Sequence, residues 1–308
     1  MTPKRNDHSG PSRPVADPTP LGHRVVQVIA RTVAGRVFAM DSLLYVKDPS
    51  IGHDDVVIAA SYCGAGTVAH ALSKGVKGVI AHDAGVGKEA AGIAGLPLAD
   101  RYGVPAAAVA GETGGVSNGL SLAAGEIGSV NAAAAALGVR PGQPALRAAQ
   151  LMLAAERGQA REIDIDLDNT IHEIVGTRGH RILVVRTLTS LPKDQDFSSD
   201  VVVTGVHSGG TKAALLKTWP VRGWIANDAG MAKNRSGIAG LRDSDEIGVA
   251  AASVSCFSAR IDDAMSTYHE GFVSAANETA RAMGVTIGMS AASAAGFMAG
   301  LRDLSAGQ

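Results

Sequence analysis

The chain has 308 residues, of which 38 are glycine and only 11 are aromatic (five Phe, four Tyr, two Trp), and its formal net charge is −1. A balanced charge gives no field to hold a polyanion, so nucleic acid is excluded as the main partner, and no apolar run approaches the roughly 18 residues of a membrane span. Two cysteines cannot make a disulfide framework and fit a reducing compartment.

Residues 1–20 are rich in proline and polar side chains, with too little apolar area to offset ordering entropy, and are expected to be a disordered tail. No apolar stretch of a secretory leader follows Lys4 and Arg5, so a cytoplasmic location is expected.

From there the strongest signal is self-similarity. Asp83-Ala84-Gly85-Val86-Gly87-Lys88, continuing through Gly92-Ile93-Ala94-Gly95-Leu96, recurs as Asp228-Ala229-Gly230-Met231-Ala232-Lys233, continuing through Gly237-Ile238-Ala239-Gly240-Leu241. Nine of fourteen positions are identical at a constant offset of 145. The offset becomes 146 beyond about Ser266, pairing Asn131 with Asn277. A period this long is not a solenoid repeat. It predicts an internally duplicated α/β protein: a first repeat over 21–155, a linker over 156–163, and a second repeat over 164–308.

Within each half the predicted elements alternate. A strand at Arg36–Met40 or Arg181–Arg186 precedes an apolar strand, Val56–Ala60 or Val201–Gly205, which runs into a Gly-rich turn and a helix, Thr67–Lys74 or Thr211–Thr218. The next strand, Gly78–Ala81 or Gly223–Ala226, ends at the Asp-Ala-Gly motif, and a helix spans Ile93 to Tyr102 or its partner. A third strand, Pro105–Ala110 or Val249–Ser255, leads through a polar loop to an Ala-rich helix, Ser129–Leu137 or Ser274–Met283. Short strands alternating with helices predict mostly parallel sheets. Two pseudo-twofold-related lobes are expected to place their strand ends around a shared cleft, where open parallel sheets bind ligands.

Three loops in each half reach that cleft. Cys63 and Ser208 are equivalent, each at a strand end before small residues and a helix, a context that suits a nucleophile with helix amides as an oxyanion hole. The G-x-S-x-G pattern is not met, and a Gly-rich anion-binding turn through Gly209 and Gly210, or a buried small hydrophobe at Cys63, reads the same residues without a nucleophile. In the duplicated motif, Asp83 and Asp228 suit turn caps, whereas nothing in a turn demands Lys88 and Lys233, which are candidates for a substrate anion or for the base. His82, where the other half has Asn227, is a candidate acid/base, as is Glu112; His207, Asn227, Asp83 and Asp228 are candidates to bind substrate. In the third loop Arg260 and Asp262 suggest an anion clamp or a surface ion pair.

Searches for a phosphate loop, a zinc-protease helix, paired cysteines and a dinucleotide fingerprint find none, and no cofactor or metal is expected. Asp164, Asp166 and Asp168 resemble the start of a calcium loop without its glycine or glutamate. The halves keep one framework but differ at 62/207, 63/208, 82/227 and 112/257, which points to a single asymmetric site. The expectation is a hydrolase, amidase-like, acting on a small polar or anionic metabolite, with Ser208 or Cys63 as nucleophile and a Lys or His base. A lyase or isomerase, a two-lobed anion-binding protein, and an assembly protein are the alternatives. A homo-oligomer is expected.

Overall fold

A computed structural model describes residues 15–19, 22–175 and 180–301. Most of the expected N-terminal tail therefore lies outside the described residues, as do 302–308. Val15–Thr19, inside that stretch, instead form strand β1, whose backbone pairs antiparallel with β2 (Gly22–Thr32).

The first sheet continues in chain order through β3 (Gly35–Met40), β4 (Val56–Tyr62), β5 (Gly78–His82), β6 (Ala106–Val109) and β7 (Ile127–Val130), seven strands in all. A second, six-stranded sheet holds β8 (His172–Val175), β9 (Arg181–Val185), β10 (Phe197–His207), β11 (Val221–Asn227), β12 (Ala250–Val254) and β13 (Val273–Ala276). From β2 to β7 and from β8 to β13 the pairing is the same: antiparallel, three parallel, antiparallel. The protein is thus an α/β fold with two sheet lobes, parallel at the centre and antiparallel at the edges. The backbone from 156 to 171 has no regular structure and joins the lobes.

Every residue of β4 is buried, as expected of an apolar run covered on both faces. One face of the first sheet packs on α1 (Ala65–Lys74) and α2 (Gly95–Arg101) through Val68, Leu72, Leu96 and Ala99. The other packs on α3 (Gly119–Ala123), α4 (Ala132–Ala136) and α5 (Ala145–Met152) through Leu122, Ala134 and Met152. In the second lobe α6 (Gly210–Ala213) and α7 (Gly240–Asp245) cover one face. The other face carries α8 (Ala264–Glu270), α9 (Glu278–Ala282) and α10 (Ala291–Met298). Alanine and glycine bring these helices close to the sheets. None of the described helices is long and apolar enough to cross a membrane.

The Ala-rich helices are shorter than predicted. Ser129 and Val130 pair with β6, and residues 273–276 pair with β12, so the helix begins only where Asn131 or Asn277 caps it. Each asparagine also accepts from the strand beside it, at Ala106 N or Ala251 N. Backbone pairing and this double cap outweigh the helix propensity of the alanines.

The lobes meet through the carboxyl ends of their strands. Tyr62, Ala84 and Val116 from one side pack with Val206, Ala229 and Ile261 from the other. At the centre the two Asp-Ala-Gly turns touch backbone to backbone. A Cβ on Gly85 would lie 2.9 Å from Gly230 Cα, one on Gly230 would lie 2.8 Å from Gly85 Cα, and both glycines have positive φ, +73° and +66°. No side chain fits between them. Gly85→Ala is expected to destabilise the protein by about 2 kcal/mol or more, because an overlap adds to the left-handed backbone cost. Gly103→Ala, at φ +65° with nothing within 4 Å, is expected to cost only about 1 kcal/mol. Urea unfolding of the two variants checks the difference.

Candidate functional site

The interlobe contact first accounts for the residues singled out in the sequence. Asp83 Oδ1 accepts from Gly85 N at 2.8 Å, and Asp228 Oδ1 accepts from Gly230 N and Cys256 N, both at 2.9 Å. His82 and Asn227, different in chemistry, do the same work: His82 Nδ1 accepts from Ala84 N and Asn227 Oδ1 from Ala229 N, each at 2.9 Å. His207 Nδ1 accepts from Gly209 N at 3.0 Å. An imidazole that accepts through Nδ1 is neutral, and burial lowers the pKa of both histidines accordingly. His82 Nε2 is buried with no hydrogen-bond partner among the described residues.

The nucleophile positions are closed. Ser208 is fully buried; its hydroxyl donates to Asn227 O at 3.0 Å and accepts from Ser253 Oγ at 2.7 Å. Cys63 is 1% exposed, and burial pushes its thiol up to about 12. Neither lysine makes a hydrogen bond or ion pair with them. Lys88 crosses to the other lobe, to Glu270 at 3.3 Å and Ser258 O at 3.4 Å, and Lys233 is half-buried, its backbone N donating to Gly114 O. Glu112 is exposed. Gly209 is the N-cap residue of α6 and Gly210 its first residue, but that helix is only four residues long.

Arg260 and Asp262 do not form the expected clamp. Arg260 is held by Asp263 at 3.1 Å and Glu89 at 3.1 Å, a partly exposed network that also reaches Glu270. Asp262, with φ +73°, turns the other way, into the cleft. There it accepts from Tyr62 Oη at 2.8 Å, from Gly66 N in the first turn of α1 at 3.0 Å, and from Arg186 Nη1 at 2.8 Å. The Arg186 and Asp262 side chains are 15% and 12% exposed, so their pairing is poorly screened. Asn169, in the connector between lobes, accepts from Arg186 Nε at 3.1 Å.

Beside this pair lies a cavity of about 60 Å³, lined by Tyr62, Thr67 and His70 from one lobe and Arg186, Thr187 and Lys212 from the other, among others. Lys212 is half-buried, and its ammonium has no hydrogen-bond or ion-pair partner among the described residues. Burial, reinforced by Arg186 and opposed by Asp262, lowers its pKa to about 8. His70 is lowered too, by burial and then by Lys47, Arg186 and Lys212.

Among the described residues this cationic recess occurs once. At the offset of 145, Arg186 corresponds to Asp41, Lys212 to Thr67 and Asp262 to Ser117. Ser117 bonds Thr211 across the lobes at 2.8 Å, as Asp262 bonds Gly66, but Asp41 carries the opposite charge to Arg186 and accepts from Gly119 N and Val25 N. Of these six positions the sequence comparison singled out only Asp262. The signal for the others lay in the same alignment, in the polar positions that differ between the halves at 41/186 and 67/212.

Comparison with protein-family models, curated proteins and solved structures finds no match to this chain.

Neither thiol is expected to react with Ellman's reagent at pH 8 in the native protein, since Cys256 is also buried and pushed up to about 12; both are expected to react in guanidinium. For Lys212, the charged form is disfavoured by folding. Its cost is full below about pH 8 and lifts as pH rises toward its ordinary value of 10.5, where the unfolded chain holds a proton that the folded chain has released. Lys212→Met is therefore expected to stabilise the protein at pH 7 by about 1–2 kcal/mol, an advantage that shrinks between pH 8 and 10.5 in urea unfolding.

Proposed function

We propose that this protein binds and acts on a small anionic metabolite in the cleft between its lobes, with Arg186 receiving the anion and Lys212 moving a proton. One observation carries this proposal: a half-buried lysine faces a small cavity beside an arginine, and no carboxylate of the described residues makes a direct ion pair with it. A buried ammonium is ordinarily paired. An anionic ligand would supply the missing charge, and Arg186, fixed by Asp262 and Asn169, offers a directional donor for it.

Lyase or isomerase chemistry suits this site better than amide hydrolysis. An amine that titrates near neutrality opens on the cavity, whereas Ser208 and Cys63 are sealed in the interlobe packing. Anion binding without turnover is the second reading, favoured by the small volume, and turnover of a bound ligand separates the two.

We also infer that the lobes arose by internal duplication. The identical strand succession and the constant offset support this. Divergence at 41/186, 67/212 and 117/262 would then have made one asymmetric site from two framework-equivalent positions.

Titration calorimetry with acetate, lactate and phosphate tests the site. Arg186→Ala and Lys212→Ala are expected to weaken the tightest of these by roughly tenfold or more. Lys233→Ala and Glu112→Ala, outside the cavity lining, are expected to leave it within about twofold. Equal losses at Lys233 would place the anion elsewhere.

A further inference from the structure

Resting on the anion-binding proposal, we infer that the ligand is a small 2-oxo carboxylate and that Lys212 captures its carbonyl carbon as an imine. The charge balance of the cavity selects the ligand class. Arg186 is matched by Asp262 at 2.8 Å, so the pair adds little net charge, and Lys212 supplies at most one more. A monoanion is served by that field; a dianionic phosphate is not. Arg186 Nη2 has no partner among the described residues, since Nε goes to Asn169 and Nη1 to Asp262. It is the free donor for a carboxylate.

The rest of the lining suits a carbonyl beside that carboxylate. Thr67 and Thr187 line the cavity, and a hydroxyl there is a hydrogen-bond partner for an oxygen that becomes a hydroxyl. His70 reaches the same cavity, half-buried and held toward its neutral form by burial and the cations around it, and so is able to accept and return a proton. A cavity of about 60 Å³ limits the enclosed part of the ligand to a few heavy atoms. Among the described residues Asp262 is the carboxylate that meets this group, and it is already engaged by Tyr62, Gly66 and Arg186. The amine is left free to act as a nucleophile.

The step balances without any added oxidant or reductant. The lone pair of the neutral Lys212 amine forms a C–N bond to the carbonyl carbon while the C=O π pair moves to oxygen, and one proton passes from nitrogen to that oxygen. The resulting carbinolamine loses its hydroxyl with the second amine hydrogen as water, and the C=N bond forms. A desolvated lysine beside another cation is the arrangement that keeps an amine nucleophilic near neutral pH. Once protonated, the imine is an electron sink next to the Arg186-held carboxylate, which suits lyase chemistry.

Incubating the wild-type protein with pyruvate and sodium cyanoborohydride, followed by intact mass spectrometry and peptide mapping, tests the capture. One reduced adduct per chain at Lys212 is expected, forming roughly tenfold or more faster than on any other lysine. Lactate, which has the carboxylate without the carbonyl, is expected to slow it. Lys212→Arg, with its fold checked by circular dichroism, is expected to lose the adduct. Mapping on the wild type locates the adduct whether or not that variant folds. No adduct, or adducts spread evenly over surface lysines, overturns the proposal. If lactate raises the melting temperature of the wild type but not of Arg186→Ala and no adduct forms, the imine falls and anion binding stands; if lactate has no effect and no adduct forms, both fall.

Discussion

Two glycine backbones in contact set the geometry of the whole molecule. Gly85 and Gly230 sit in left-handed turns at the ends of β5 and β11, and each occupies space that a side chain on the other would need. Ala84, Val86, Ala229 and Met231 beside them also have positive φ, a conformation that costs a residue with a Cβ on the order of 1–2 kcal/mol. Such strain persists where surrounding structure fixes it. Here the fixing groups are visible: Asp83 and Asp228 hold the glycine amides, His82 and Asn227 hold the residue before, and the apolar cluster around Ala84 and Ala229 closes the contact. Because the turns meet, the strand ends of both lobes face one another.

That arrangement explains why the recurring motif carries structure. In an open parallel sheet the loops beyond the strand ends are where a ligand binds. When two such sheets meet end to end, the central loops are spent on the contact and become dry, as the burial of Ser208, Cys63, His82 and Asn227 shows. Open space is left to either side of that contact. On one side it is filled by the ion network of Lys88, Glu89, Arg260 and Glu270. Beside α1 a cavity remains.

The Arg186–Asp262 pair ties that cavity to the fold. Asp262 belongs to the second lobe, yet it caps the first turn of α1 in the first lobe and orders Tyr62 there. A Cβ on Gly66 would come within 2.7 Å of Asp262 Oδ2 and 2.8 Å of Arg186 Nη1, so the small residue at that position allows the pair to lie against the helix. Leaving Lys212 unmatched beside it is a cost in stability. A charge kept unpaired against that cost is a common mark of a functional site.

Much of the architecture was legible in the sequence. The offset of 145 located equivalent strands in both lobes, the apolar runs at 56–60 and 201–205 marked buried central strands, and the glycines marked tight turns. Edge strands were less legible: β7 and β13 lie in sequences that favour helix, and only pairing with β6 and β12 decides them. Site residues divided in the same way. The sequence by itself determined the recurrence of the Asp-Ala-Gly motif, the α/β alternation and the positions where the two halves differ, because these follow from local pattern and from comparing the chain with itself. Only the tertiary structure decided which divergent positions share a cavity. Arg186, Asp262, Lys212 and His70 are up to 192 residues apart and come together across an interface whose partners no local pattern encodes. Burial decided the rest, turning Ser208 and Cys63 from exposed strand-end candidates into packed interior groups.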